Sequence, residues 1–267
     1  MAEISARDVK ALRDATGAGM MDAKKALTEA DGDFQAAVSW LRERGLGKAA
    51  ERSDRENVEG AVGVAISGNA AALVELKSET DFVAKSPQFV SLVNKLAKDV
   101  AANGDAVVDG YKDAIDDLKL TLKENIEIGR VVSFDAADGN ILDTYLHIQN
   151  GRGVNAVIVE LSGGTAELAH DVAVHIAFGR PAYLQRDEVP TAEVDAERVA
   201  LEAQTRNEGK PEQAIPKIVD GRLDGWFKRV PGGVLIEQPF ARDDKQTVAQ
   251  VLGSAKVVRF AQAVIGV

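Results

Sequence analysis

Residues 74–85 read Val74-Glu75-Leu76-Lys77-Ser78-Glu79-Thr80-Asp81-Phe82-Val83-Ala84-Lys85, and Phe89, Leu92, Val93 and Leu96 follow at helical spacing. Upstream, Val62, Val64 and Ile66 alternate, Ser67-Gly68-Asn69 turns the chain, and Ala72, Val74 and Leu76 alternate again. Period two on both sides of a tight turn is a hairpin, and the helical period after it is an amphipathic helix. The same order recurs downstream. Val159-Glu160-Leu161 matches Val74-Glu75-Leu76, and Ala169, Val172, Ala173 and Ile176 repeat the spacing of the first helical face. Self-similarity of this kind marks an internal repeat. The connections differ: Leu76 to Phe89 is 13 positions and Leu161 to Ala169 is 8, so the first repeat carries five extra residues within Thr80–Lys85. A connection that is longer than its counterpart and bears a phenylalanine is a place to look for function.

Working outward, Tyr111, Ala114, Ile115, Leu118 and Leu122 mark another helix, and Ile126, Ile128, Arg130, Val132 and Phe134 return to period two. Asp138-Gly139-Asn140 turns into a strand at Ile141–Ile148, and Asn150 to Gly153 turns again into a strand through Val157, Val159 and Leu161. The first 45 residues read as three helices. Ser5-Ala6-Arg7-Asp8 is a capping-box pattern, Thr16-Gly17-Ala18-Gly19 breaks the helix, Met20, Ala23 and Leu27 share one face, and Phe34, Ala37, Val38 and Leu41 follow an Asp33 cap. Gly45 and Gly47 are expected to stop the third helix, and the mixed charges of Lys48–Glu59 to form a solvated helix or linker.

After Pro190, Val194–Asn207 and the stripe Ile215, Ile218, Val219, Leu223 and Phe227, reversed at Gly209-Lys210-Pro211, predict an antiparallel helical hairpin. Pro231-Gly232-Gly233 ends it, and Val234–Phe240 and Val257–Phe260 are expected as strands around a short helix at Thr247–Leu252. The expected fold is α+β with antiparallel sheets. A three-helix domain occupies 1–47, a charged linker 48–60, one core subdomain 61–135, and a related α/β subdomain 136–267, with the hairpin projecting from about 191–229.

Composition narrows the function. The 267 residues include 45% hydrophobic and 28% charged residues, the proportions of an ordinary globular protein. With 32 basic and 42 acidic residues the net charge is −10, which opposes the counterion release that drives nonspecific nucleic-acid binding, so no direct nucleic-acid partner is expected. There is no cysteine, hence no disulfide, thiolate nucleophile or cysteine-ligated metal. Glu3, Arg7, Asp8 and Lys10 leave no apolar leader at the start, and no later stretch has the run of about 18 apolar residues that a membrane span needs. A cytoplasmic location is expected.

Two glycine patterns are decoys. Gly151-Arg152-Gly153-Val154-Asn155-Ala156 fits G-x-G-x-x-A but leads into a strand, and Gly45-Leu46-Gly47-Lys48-Ala49-Ala50 follows a helix, whereas a dinucleotide fingerprint joins a strand to a helix. His170 and His175, five apart, do not share a helical face as zinc-binding histidines do. No cofactor and no metal are expected, and no catalytic constellation is visible. Phe82 has two readings: a core residue under its loop with Asp81 capping the next helix, or an exposed aromatic wedge beside a carboxylate. Met20-Met21 reads either as core or as an adaptable binding surface, although adjacent residues cannot both face one core.

Several stretches together resemble the elongation factor Ts family. Leu12-Arg13, Thr16-Gly17-Ala18-Gly19-Met20-Met21-Asp22 and Lys24-Lys25-Ala26-Leu27 resemble its N-terminal signature, and Glu79 to Lys85 its second. The likeness continues through Glu124-Asn125-Ile126, Tyr145-Leu146-His147, Gly209-Lys210-Pro211, Lys217-Ile218-Val219, Gly221-Arg222-Leu223, Gln238-Pro239-Phe240 and Thr247-Val248. The resemblance implies a guanine-nucleotide exchange factor, not an enzyme, whose partner is the GTPase elongation factor Tu. It further implies that the three-helix domain is similar to ubiquitin-associated domains. It casts Thr80, Asp81, Phe82 and Val83 as the segment that dislodges Mg²⁺ from the GTPase, and Arg13, Met20, Met21, Lys24 and His147 as further contacts. Family members usually run into Gly-Val-Leu-Val after the residue matched by Arg152, where this chain has Asn155-Ala156-Val157-Ile158. Some continue past the equivalent of Phe260 into a helical module, and contacts by such a module are expected to be missing here. A protein-binding adapter of translation without exchange activity is the alternative. A metal hydrolase and an RNA-binding factor are the rival classes, and neither accounts for the phenylalanine loop.

Overall fold

In the computed structural model, which describes residues 4–50 and 52–266, the amino-terminal helices form where their caps predict. The Ser5 hydroxyl accepts the Asp8 amide while the Asp8 carboxylate accepts the Ser5 amide, opening α1 (Ala6–Thr16), and Gly17 closes it in the left-handed region at φ +67°. Helix α2 (Met20–Glu29) starts beyond it, and Asp33 Oδ1 receives the Ala36 amide at 2.9 Å to open α3 (Phe34–Ala50). Val9, Leu12, Ala23, Ala26, Leu27 and Ala37 bury one small core. Met20 is not part of it: at 54% exposure it lies off the Ala23/Leu27 face that its spacing suggested.

The core is two repeats. The first comprises β1 (Glu59–Ser67), β2 (Ala70–Ser78), the single turn α4 (Asp81–Ala84), α5 (Pro87–Asn103), α6 (Lys112–Leu122) and β3 (Glu127–Asp135). The second comprises β4 (Ile141–Gln149), β5 (Arg152–Ser162), α7 (Ala166–Gly179), the hairpin α8 (Thr191–Asn207) and α9 (Ile215–Phe227), β6 (Pro239–Phe240), β7 (Asp243–Thr247), α10 (Val248–Leu252) and β8 (Lys256–Val264). The antiparallel sheets run β1-β2-β3 and β4-β5-β8, so both matched tripeptides sit on central strands. Both ladders also slip at the matched glutamates: β2–β3 between Val74 and Leu76, and β5–β8 between Glu160 and Leu161.

Period two divides each strand between two cores. Ala61, Ala72, Val74 and Leu76 meet Phe89, Val93 and Leu96 of α5, while Val157, Val159 and Leu161 meet Ala169, Val172 and Ile176 of α7. The alternate residues Val62, Ala71, Leu73, Ala156, Ile158 and Ala261 fill the space between the two sheets. Leu73 and Ile158 are fully buried there, and each such side chain contributes roughly 1.5–3 kcal/mol. The edges are tied reciprocally: Arg130 of β3 donates to the Gln262 carbonyl of β8 at 2.7 Å, and Arg259 of β8 donates to the Asp135 carbonyl of β3 at 2.6 Å.

Two local expectations are corrected. Gly45 and Gly47 do not stop α3, which continues to Ala50 against α6. A Cβ at Gly45 would run into the Leu120 side chain, so this glycine lets α6 lie close, and Arg42 adds ion pairs to Asp113 and Asp117 at 3.2 and 3.5 Å. Val234–Phe240 is not one strand either. Val234 makes an isolated parallel bridge to Tyr183, Leu235–Glu237 is a 3-10 turn, and Pro239–Phe240 pairs with β7. The reason is Gln238, fully buried, whose amide donates to the carbonyls of Gly179 at 2.9 Å, Arg229 at 3.0 Å and Gly232. That hub fastens the root of the helical hairpin, whose own seam is Leu201, Ile215, Val219, Leu223 and Phe227. Among the described residues no helix is long and apolar enough to cross a membrane.

Candidate functional site

The extra residues of the first repeat form one helical turn. Thr80 caps α4, its hydroxyl accepting the Val83 amide at 3.4 Å, and Thr165 caps α7 in the same backbone conformation, its hydroxyl accepting the Leu168 amide at 3.2 Å. Each threonine lies four residues beyond the leucine of its matched tripeptide. In the second repeat the cap opens the long helix directly. In the first, Asp81–Lys85 are interposed, and Ser86 and Pro87 then begin α5. The capping residue is therefore Thr80, and Asp81 is the first residue of the turn it caps.

The interposed turn lies on the first repeat's core, with Val83 half-buried against it. Ala84 is buried beneath it, whereas Phe82 is 74% exposed. Lys85 holds the two exposed groups together: its ammonium is 3.0 Å from Asp81 Oδ2 and 4.3 Å from the centre of the Phe82 ring. The Lys85 hydrogen bond, with the charges of Lys85 and Arg152, outweighs desolvation and keeps the Asp81 carboxyl below its usual range. Arg152 is itself fixed by Glu59 at 2.7 Å and the Gly60 carbonyl at 2.5 Å, which seats the β4–β5 turn beside β1. A rigid aromatic ring beside an ionised carboxylate offers an apolar surface and a hydrogen-bond acceptor on one short turn.

Periodicity gave no sign of what supports that turn. Glu124, just beyond α6, accepts the amides of Glu79 and Thr80, each at 3.1 Å, together with the Thr80 hydroxyl. In return the Glu79 carboxylate accepts the Asn125 amide at 2.7 Å and pairs with Arg55 at 3.4 Å. The buried Asn125 side chain donates to the carbonyls of Ser53 at 3.1 Å and Arg55 at 2.9 Å, so the connection from the three-helix segment is anchored at the same place. The only signal for these two residues lay in the Glu124-Asn125-Ile126 likeness.

The remaining candidates occupy two other places. Arg13 of α1, paired with Asp14 at 3.9 Å, and Met20, Met21 and Lys24 of α2 are all exposed, with Met21 at 75%. Both methionines thus lie outside the core. His147 is exposed on edge strand β4 of the second sheet, with Nδ1 3.3 Å from the Tyr145 hydroxyl. His170 lies beside Asp143 at 3.2 Å, whereas His175 is fully buried, which separates the two histidines. Its Nδ1 accepts the Ala241 amide at 3.1 Å, so its proton sits on Nε2 and is donated to Gln238 Oε1 at 3.0 Å. Burial pushes the His175 pKa down, against the Gln238 hydrogen bond.

Comparison with known proteins bears on the whole chain. The sequence model of the family Elongation factor TS matches residues 79–267. A protein named Elongation factor Ts from Acidothermus cellulolyticus is 46% identical to this chain, with 100% of this chain and 99% of that one covered. The chain belongs to the elongation factor Ts family. Another relative of the same name, from Renibacterium salmoninarum, is 44% identical with both chains fully covered, and one from Cutibacterium acnes is 46% identical over 95% of each. Membership of the elongation factor Ts family gives the chain a role as an elongation factor in translation, and the match begins at Glu79, the first residue of the segment that carries Phe82.

Proposed function

We propose that the chain binds elongation factor Tu carrying GDP and speeds GDP release by disturbing the Mg²⁺ and phosphate site, so that GTP can reload. It acts in the cytoplasm as an exchange factor and makes or breaks no covalent bond itself. The observation that carries this reading is the 74% exposure of Phe82 on a turn that the second repeat lacks, beside the ionised Asp81. In this reading Thr80, Asp81, Phe82 and Val83 form the element that enters the partner near its magnesium. Arg13, Met20, Met21 and Lys24, on a UBA-like unit at about 1–47, meet the nucleotide-binding domain, and His147 on the subdomain at 136–267 meets another part of the partner. The charged linker at 48–60 and the subdomain at 61–135 hold the first two in register.

The physical form of the mechanism is linkage. Nucleotide and Mg²⁺ support each other in a GTPase, so a wedge that shifts the loops holding the ion weakens the phosphate contacts, and the nucleotide weakens the wedge's binding by the same factor. Weakening nucleotide affinity about 1000-fold takes about 4 kcal/mol of differential binding. One buried aromatic side chain supplies roughly 1.5–3 kcal/mol, so Phe82 acts with the wider surface. Release of a fluorescent GDP analogue from elongation factor Tu, with and without this chain, tests the reading. Acceleration that grows with added chain and then saturates is expected, and complex formation with no acceleration would establish the adapter reading instead.

A further inference from the structure

We propose that Glu124 is a positioning residue for the exchange reaction, holding the Thr80–Val83 turn in its projecting conformation before the partner arrives; this rests on the wedge reading above. A helix of four residues does not persist alone, because too few hydrogen bonds offset the backbone entropy of nucleation. Helix α4 is of that length, so its conformation has to be imposed from outside. Its cap is imposed by Glu124. The Thr80 hydroxyl has one proton, and giving it to Glu124 leaves the oxygen lone pairs to receive the Val83 amide at 3.4 Å. The other contacts of the Glu124 carboxylate, at 3.1 Å, fix the Glu79 and Thr80 amides directly before the turn.

The placement of Glu124 is specific to the first repeat. Lys123 ends α6 in the left-handed region at φ +61°, which reverses the chain, and Glu124 and Asn125 follow against Glu79 and Thr80. Carboxylate and amide are exchanged in both directions across this contact, Glu124 with residues 79–80 and Glu79 with Asn125, as a capping box does within one helix. In the second repeat, among the described residues, the Thr165 hydroxyl takes only the Leu168 amide, on a helix long enough to hold itself. The carboxylate clamp accompanies the turn that bears the phenylalanine.

The test is a two-by-two set of variants in the full chain: wild type, Glu124→Ala, Phe82→Ala and the double variant. Maximal stimulated release of fluorescent GDP from elongation factor Tu is the first readout. Hydrogen exchange at the Val83 and Ala84 amides of the free chain is the second. Charge-assisted hydrogen bonds of this kind are large enough that losing them should slow release roughly tenfold in the wild-type background. Glu124→Ala should slow the Phe82→Ala chain no further, because the clamp acts through the residue it places. Exchange at Val83 and Ala84 should rise to that of unprotected backbone. If Glu124→Ala does not fold, Glu124→Gln keeps the shape while giving up part of the accepting capacity, and an intermediate value on both readouts is expected. An equal slowing in both backgrounds, or unchanged Val83 and Ala84 exchange, would overturn the proposal. Should Phe82→Ala itself release GDP at the wild-type rate, the wedge reading fails, and the exchange measurement still decides whether Glu124 sets the turn.

Discussion

Phe82→Ala removes a ring whose surroundings in the free chain are mainly water: it is 74% exposed and stacked only under the Lys85 ammonium at 4.3 Å. A cation–π contact at an exposed site is worth about 0.5–1 kcal/mol, which for a chain of this size moves the melting temperature by about 2–4 °C at most. Truncating a core phenylalanine would cost about 3–5 kcal/mol instead. Docking is where the ring gains. Full burial of such a side chain stabilises by roughly 1.5–3 kcal/mol, and the three-quarters still exposed leaves about 1–2 kcal/mol to be gained in the exchange complex. If that gain belongs to the state in which magnesium is displaced, stimulated GDP release falls by about 5- to 30-fold. Stopped-flow release of fluorescent GDP from elongation factor Tu, titrated with wild-type and variant chain, gives the ratio, and a thermal melt of each gives the stability. Wild-type rates from a folded variant, or a melting temperature lower by ten degrees or more, would show that the ring does not act as a wedge.

Excess GDP with Mg²⁺ should dissociate the complex with elongation factor Tu, GDP in chelator should do so less well, and Asp81→Asn should alter the magnesium dependence more than Phe82→Ala does; calorimetry at several Mg²⁺ concentrations reads all three. Stability should fall on acidification from about pH 6.5, because unfolded His175 takes up a proton that the folded ring, with its lowered pKa, refuses, and His175→Gln should flatten that slope in melts between about pH 7.5 and 5.5. Deleting residues 81–85 joins Thr80 to Ser86-Pro87-Gln88, a T-x-x-Q capping box with proline in the first turn, so a folded chain without exchange activity is expected, checked by circular dichroism and GDP release.

The parts of the fold that were legible from sequence are those governed by local period. Both hairpins, the two helices laid on them and the helical hairpin follow from spacings of two and three to four residues, and a buried face enforces such spacing. The third helix was misjudged because a glycine is locally a stop signal, whereas Gly45 faces Leu120, 75 positions away, and long-range packing decides the matter. The apolar residues of Val234–Phe240 suggest a strand, but the fully buried Gln238 bonds the carbonyls of nearby Arg229 and Gly232 and of Gly179, 59 positions away, and the chain turns there. Phe82 could be counted as extra but not placed, since exposure depends on what lies above it. Glu124 carried no periodic signal at all, because a carboxylate that binds backbone amides 44 and 45 residues away looks like any charged residue at a helix end.

The repeat explains how an apolar ring can be displayed without loosening the molecule. Both repeats place a threonine cap four positions beyond the leucine of a bulged central strand, the first through Lys77-Ser78-Glu79 and the second through Ser162-Gly163-Gly164, whose glycines take positive φ. Interposing five residues between cap and long helix adds one helical turn and returns the chain to register, since Phe89 and Leu96 still meet the sheet as Ala169 and Ile176 do. The added turn therefore exposes Phe82 and leaves the packing of the long helix unchanged. Ala84 faces inward, fully buried, and Val83 packs half-buried against the same core. The insertion has no core of its own, so the bonds from Glu124 order its start while Ala84 and Val83 seat it on the first repeat's core. A turn whose backbone is ordered in advance loses little conformational freedom on docking, so more of the ring's burial free energy remains to act on the partner's magnesium site.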